Sequence, residues 1–390
     1  MNKNMVTVLH SFPIWLPQTQ TWMHSQVLGL QRLGVNAHVV CERLENLDQF
    51  RVANIHSLSD ESSWVQFWDN GMRKLRVRRH LKHLVRKGRD IGANIVHSHF
   101  GHVGWADRCA VKKIGAKHVV TFYGLDVKKL PKQQPVYRDR YAELFKSADL
   151  FLCEGSHMAQ ELIGLGCLPS KVQVQHLGVN VEGIDFRPRM WRSGETLKVL
   201  IVASFREKKG ISYALEALAC LQDHVALEVT IIGDAGPNPT EQVEKNRILT
   251  TLEKTGLMTR TRLLGYQTHA VMFREAYAHH VFLHPSVTAS DGDSEGGAPV
   301  CITEMLATGM PVVSTRHCDI PEVVGPAYHA FLANERDVAS LVDCLTRLIE
   351  NSQTWESIAR VGRQRIESEY HQSRQVEKLV GHYKRILEIG

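Results

Sequence analysis

Apolar residues in the first half of the chain fall into short, nearly unbroken runs separated by longer stretches with helical spacing. The runs at 6–10 (VTVLH), 37–41 (AHVVC), 94–99 (NIVHSH), 118–123 (HVVTFY), 149–153 (DLFLC) and 171–177 (KVQVQHL) read as strands. The intervening spacing predicts helices near 22–33, 103–114, 137–147 and 156–165, the first stopping at Gly34. Strands apolar on both faces that alternate with helices belong to a parallel sheet covered on both sides.

The pattern then restarts. Residues 183–196 (GIDFRPRMWRSGET) are polar and turn-rich and read as a linker. Beyond it, 197–203 (LKVLIVA), 226–233 (ALEVTIIG), 262–265 (RLLG), 281–284 (VFLH) and 311–315 (PVVST) read as strands. Helices are expected near 211–221, 240–256, 268–279 and 301–308, and the last forty residues look helical. The expected fold is α/β, with two doubly wound parallel-sheet domains of Rossmann type facing each other across a cleft. Their boundaries are 1–185 and 195–371, and the cleft is the natural ligand site.

Composition narrows the class. No apolar run reaches the roughly eighteen residues of a membrane span, and the N-terminus reads as strand and loop rather than a signal peptide. The eight cysteines lie at least fourteen apart with no C-x-x-C pair, so buried reduced thiols and a cytoplasmic setting are expected. Net charge is +6, yet residues 73–89 hold nine of the 47 basic residues and no acid. The remaining 38 against 41 acids give −3. One local patch, rather than a coat of charge for nucleic acid, carries the basicity.

Neither first strand runs into G-x-G-x-x-G, and G-x-x-x-x-G-K-[ST] is absent, which argues against nicotinamide and P-loop chemistry. Basic residues do follow a strand and precede a helix at 205–210 (FREKKG), where Arg206, Lys208 and Lys209 would face an anion at a helix N-terminus. A solvated turn reads equally well there. In 284–315 (HPSVTASDGDSEGGAPVCITEMLATGMPVVST) a strand leads through a loop into a helix and another strand. Glu295 lies in the loop and Glu304 in the helix, carboxylates able to accept from paired sugar hydroxyls. Gly292, Gly296 and Gly297 would let the backbone close on a phosphate or sugar.

The run from Pro285 to Val313, with Glu295, Gly296, Glu304, Met305, Gly309 and Pro311, resembles the donor-binding motif of glycosyltransferase family four. The resemblance extends to FREKKG, LLGYQ (263–267), TFYGLDV (121–127), IVHSHFG (95–101), HLGVN (176–180) and IPEVV (320–324). It implies a GT-B, retaining, nucleotide-sugar-dependent enzyme of the bacterial exopolysaccharide or lipopolysaccharide type. Such an enzyme would move a hexosyl unit from a UDP- or GDP-sugar to a hydroxyl of a glycan or lipid-linked glycan. No cofactor or metal is implied. Lys209, Arg206 and Glu295 would be catalytic, with donor contacts from Glu304, Gly296, Gly297, Ser204, Tyr266, Tyr123 and Gly124. His99 and Asp126 would lie on the acceptor side, and a final helix, 372–390, would return to the first domain.

Three departures accompany the resemblance. Glu295 stands nine positions before Glu304 where the family has eight, Ser204 occupies the usual Arg position, and Tyr123 replaces a His common in the family. Another GT-B protein, such as a sugar-nucleotide epimerase, or a non-catalytic sugar-nucleotide-binding subunit would share the motifs. The D-x-D at 291–293 reads as coincidence rather than a metal site, and His97 with His99 lacks an evident third ligand. In the basic segment, Leu75, Val77, Leu81, Leu84 and Val85 recur on one face of a presumed helix. Either the stripe packs on the first domain, or Arg76, Arg78, Arg79 and Lys82 bring the helix to an anionic membrane surface as a peripheral contact.

Overall fold

The computed structural model describes residues 5–17, 20–75, 77 and 80–388. The chain forms two compact units: Met1–Gly178 with His371–Gly390, and Val179–Tyr370.

Among the described residues, the first unit holds a seven-stranded parallel sheet. Its strands are β1 (Thr7–Trp15), β2 (Asn36–Leu44), β3 (Ile55–Ser57), β4 (Ile95–His99), β5 (Lys117–Thr121), β6 (Leu150–Cys153) and β7 (Val172–Val174). Their order is β3-β2-β1-β4-β5-β6-β7, and the register sets His10 beside His97 across β1 and β4. β4 and β6 are buried throughout and β1 from Thr7 to Phe12, as expected of a sheet covered on both faces. The C-terminal helix Gln372–Ile386 belongs to this unit: Val376, Leu379 and Tyr383 join the core around Phe12, Trp15 and Val27. The Gln372 side chain also donates to the Ser25 carbonyl at 2.9 Å.

The second unit contains β8 (Leu197–Val202), β9 (Leu227–Ile232), β10 (Thr261–Leu263), β11 (Val281–His284), β12 (Val312–Thr315) and β13 (Leu332–Ala333). All pair in parallel, in the order β10-β9-β8-β11-β12-β13. That is the doubly wound order with a reversal between β8 and β11.

Two expectations need correction. The stretch 183–196 is no free linker; it is tied into the second unit. Trp191 is buried, and the Arg189 guanidinium donates to the Ala276, His279, Arg187 and Thr308 carbonyls and to the Thr308 hydroxyl. Its polarity serves interior carbonyls, not water. The segment 73–89 is not one helix either. Helix Ser63–Lys74 ends just inside it, at Lys74, and helix Lys82–Asp90 begins further along it. Leu81 and Leu84 are buried while Leu75 and Val77 are exposed, so the presumed stripe is split between core and surface. Lys82 is exposed at the start of the second helix; Arg76, Arg78 and Arg79 lie outside the described residues. Among the described residues no helix is long and apolar enough to cross a membrane.

Candidate active site

In a doubly wound sheet, ligands settle beyond the carboxyl ends of the strands where the order reverses. In the second unit that point lies between β8 and β11, and both motif loops leave from it. The turn 203–210 after β8 packs so tightly that two positions admit only glycine. A Cβ on Gly210, at φ +65°, would lie 1.9 Å from the Pro285 carbonyl oxygen. One on Gly233, at φ +128°, would lie 1.9 Å from that of Ala203.

Three consecutive residues of this turn hold the loop after β11. Glu207 accepts from the Ser290 amide at 3.0 Å and its hydroxyl at 2.6 Å. Lys208 donates to Asp293 at 3.3 Å and to the Ser294 carbonyl at 2.9 Å. Lys209 donates to Glu295 Oε2 at 2.8 Å. The loop around Asp291–Asp293 is stapled by its own carboxylate, since Asp291 accepts from the Asp293 amide at 2.9 Å.

Glu295 is nearly enclosed, its side chain 6% exposed. Its Oε1 accepts from the Ser286 hydroxyl at 2.9 Å, and its amide donates to His317 Nε2 at 3.1 Å. His317 is held in turn by Glu335 through Nδ1 at 2.7 Å. Burial would raise the Glu295 pKa, but the Lys209 ammonium, the His284 side chain and the Lys208 ammonium overcome it and hold the carboxyl well below the usual range. Lys209 spends one of its three N–H donors here, which aims the ammonium while leaving the others for a ligand.

Arg206 stands at the exposed edge of the same turn. Its Nε donates to Glu241 at 2.8 Å, and the other Glu241 oxygen accepts from the Gly236 amide at 2.7 Å. Tyr266 lies close enough for the charges of Glu241 and Arg206 to act on its phenol, whose pKa is raised chiefly by burial. Ser204 is half-buried, and its carbonyl accepts from the Arg206 amide. Gly296 takes φ +80°, and the Gly297 carbonyl accepts from the Asp319 amide at 3.3 Å.

Glu304, in helix Val300–Thr308, has a partner that sequence reading missed. His269 donates through Nε2 to Glu304 Oε1 at 2.7 Å. Burial alone would lower the His269 pKa; the bond to the carboxylate reverses that and raises it. His269 opens helix His269–Ala278, capped by the Thr268 hydroxyl. The cap was a legible signal, but the contact spans 35 residues.

The first-unit candidates lie together at the ends of β4 and β5. Tyr123 OH and His99 Nδ1 are hydrogen-bonded at 2.6 Å, and His99 Nε2 meets His10 Nδ1 at 3.0 Å. His97 bonds Tyr383 OH at 2.6 Å and the Thr121 hydroxyl at 2.7 Å. His10 thus supplies the third histidine beside His97 and His99, the three offering nitrogens within 4.8 Å of one another. Those nitrogens are spent on one another and on hydroxyls, save the buried His10 Nε2. Asp126 is fully buried and accepts from the amides of Gly101 at 2.6 Å and Tyr123 at 3.0 Å, clamping the loop in which Gly124 takes φ +101°. Burial pushes its carboxyl up to about 6. His99 and Asp126 are therefore enclosed, and they orient the Tyr123 loop rather than face solvent.

The family model described as "Glycosyltransferase Family 4" matches residues 19–182, and "Glycosyl transferases group 1" matches 186–365. The chain is 31% identical over 283 residues to the "Amylovoran biosynthesis glycosyltransferase AmsK" of Erwinia amylovora, covering 72% of this chain and 67% of that one. It belongs to glycosyltransferase family 4. A second relative, the "Putative colanic acid biosynthesis glycosyltransferase WcaL" of Salmonella typhimurium, is 32% identical over 291 residues, covering 72% and 68%. Anabaena Alr3699/HepE, solved in complex with UDP, superposes with TM-score 0.78 at 15% identity over 98% of this chain and all of that one. The sucrose-phosphate synthase of Thermosynechococcus elongatus gives 0.74 at 14% over 98% and 99%. These likenesses place the family 4 chain in the GT-B fold, and the protein is a glycosyltransferase. The interval from Glu295 to Glu304 leaves the loop that Lys208 and Lys209 hold at 293 and 295 and runs into helix Val300–Thr308.

Proposed function

We propose that this glycosyltransferase moves a hexosyl unit from a UDP- or GDP-sugar to a hydroxyl of a glycan acceptor, keeping the anomeric configuration, in cell-surface polysaccharide synthesis. The reading is carried by one observation: the Lys209 ammonium, braced by Glu295, stands with the Arg206 guanidinium on the turn at the β8–β11 reversal. A nucleotide diphosphate there would meet two cations and the helix-terminal amides. In the step, the bond from the anomeric carbon to the phosphate oxygen breaks and a bond to the acceptor oxygen forms on the same face. The acceptor proton passes to the departing phosphate. Charge growing on the leaving group is stabilised by Lys209 and Arg206, so no metal cofactor is required. The names of the AmsK and WcaL relatives support exopolysaccharide synthesis, and the UDP and UDP-glucose complexes of HepE support a uridine nucleotide. We take the acceptor to be lipid-linked, a reading that fits a peripheral membrane enzyme at the cytoplasmic face.

The test is incubation with a panel of UDP- and GDP-sugars and lipid-linked glycans, with and without EDTA. Free nucleotide diphosphate plus an extended, anomer-retained glycan is expected in both arms. Donor turnover without glycan product would overturn the reading. For the donor site, Glu304→Ala is expected to weaken nucleotide-sugar binding by about 1–3 kcal/mol, and His269→Ala by about 1 kcal/mol, by titration calorimetry. Unchanged affinity in Glu304→Ala would remove Glu304 from the donor contacts.

A further inference from the structure

The first unit turns a row of aromatic rings toward solvent. On helix Ser63–Lys74, Trp64 is 67% exposed, Phe67 69% and Trp68 51%. Their i, i+3, i+4 spacing sets them on one face. Trp64 and Phe67 stack with ring centroids 6.2 Å apart, and Trp64 meets Trp68 edge-on at 5.8 Å. Leu75 and Val77 extend the exposed apolar surface just past the helix. An amphipathic helix ordinarily buries such a stripe. Here polar anchors fix its rotation the other way. Buried Asp69 accepts from the Lys82 and His83 amides at 2.9 and 3.4 Å, closing the start of helix Lys82–Asp90. Arg73 grips Glu42 with two bonds of 2.6 and 2.9 Å.

Beside the aromatic row lies a groove of about 840 Å³, bordered by these two helices and helix Gly101–Ile114. Trp64, Trp68, Met72 and Trp105 give it apolar walls, and Lys82, Arg86, Arg108 and Lys113 stand around it. Asp69 is the carboxylate among the lining residues, and it is already engaged. Arg86 pairs with Glu61, and Arg108 pairs with Glu143 at 2.6 Å. Lys82 and Lys113 have no ion-pair partner among the described residues. The combination is specific in kind. Exposed tryptophan next to cations suits the boundary between acyl chains and anionic headgroups, where indole rings settle and lysines meet phosphate. A second copy of the chain fits poorly, because a two-fold contact would set this cationic groove against itself.

We propose that this face docks on an anionic lipid bilayer. The rings of Trp64, Phe67 and Trp68 enter the headgroup boundary, the groove takes an acyl chain, and Lys82 and Lys113 hold lipid phosphate. The surface deepens the lipid-linked acceptor reading but uses none of its donor-site residues, so the two fail separately.

The full-length protein should co-sediment with vesicles of phosphatidylethanolamine and phosphatidylglycerol at low salt, and not with phosphatidylcholine vesicles. Trp64→Ala/Phe67→Ala/Trp68→Ala should lower partitioning at least tenfold, and Lys82→Gln/Lys113→Gln severalfold with a weaker salt dependence. UDP or GDP binding, measured in parallel, should stay unchanged and reports that both variants are folded. Wild-type protein that ignores anionic vesicles, or a triple variant that binds them as well as wild type, overturns the proposal. So does a wild-type dimer in light scattering that the triple variant converts to monomer, since a second copy would then cover the rings. Transfer to a soluble acceptor by the triple variant at the wild-type rate would place the defect in membrane docking and support the proposal.

Discussion

Lys209→Ala is expected to lower kcat by about 10²–10³-fold while changing KM far less. The ammonium faces a phosphate whose negative charge grows as the anomeric bond breaks, so its interaction is stronger in the transition state than with bound donor. A KM rise with kcat unchanged would remove the leaving-group role. The substitution has a second consequence, because Glu295 would remain enclosed without its main counter-charge. Stranding a buried carboxylate costs about 3 kcal/mol, so stability must be measured with the kinetics. Glu295→Gln in the same background should recover much of that stability and none of the rate. Glu295→Gln alone then separates two roles. A variant that binds donor but turns over slowly because Lys209 is no longer aimed should lose less kcat than Lys209→Ala. Equal losses would mean that Glu295 itself touches the donor sugar.

The pair also has a pH signature. The folded-state pKa of Glu295 lies well below its ordinary value of 4.5. Its contribution to stability is therefore complete above about pH 4.5 and is lost as pH falls toward the folded pKa. The stability gap between wild type and Lys209→Ala should shrink on acidification below pH 4.5. A constant gap in chemical denaturation from pH 7 to 3.5 would show that the ion pair is not its source.

Much of this architecture was legible because it is periodic. Apolar runs located all but two of the strands, and the restart near Leu197 gave the second sheet. The missed strands, Ile55–Ser57 and Leu332–Ala333, are three and two residues long, too short to carry a pattern. β1 runs on through Pro13 to Trp15, although the proline reads as a break. In the site, residue identity could nominate Lys209, Glu295 and Glu304 but not their pairing. Lys209 and Glu295 are 86 residues apart, and only the adjacency of β8 and β11 brings them together. His10 reached the His97–His99 pair in the same way, through strand register. The basic segment misled because its apolar spacing bridges two separate helices and the turn between them. The exposed rings of Trp64, Phe67 and Trp68 were passed over because a tryptophan in sequence reads as packing.

The same gap between composition and contact gives the largest expected stability effect outside the site, at Arg189. The polar segment 183–196 looked like a linker because arginine in a turn-rich stretch usually meets water. Arg189 instead is 7% exposed, and burial lowers its pKa to about 10. Its Nε and terminal nitrogens reach the Ala276 carbonyl at 2.9 Å and the His279 and Thr308 carbonyls at 3.1 Å. Ala276 and Thr308 lie at the C-terminal ends of helices His269–Ala278 and Val300–Thr308, which also carry His269 and Glu304. One guanidinium thus satisfies carbonyls that helix ends leave unpaired and places a positive charge where both dipoles are negative. Arg189→Ala should strand several buried acceptors at once and destabilise the protein by about 3–5 kcal/mol, lowering Tm by roughly 10 °C. Arg189→Lys should recover little, because a single ammonium cannot span carbonyls on two helices as a planar fork does. Since those helices present His269 and Glu304, nucleotide-sugar affinity should fall in both variants even at temperatures where they stay folded. A lysine variant with wild-type Tm and wild-type affinity would show that position 189 needs only a charge, and that the 183–196 segment does not set the geometry of the donor site.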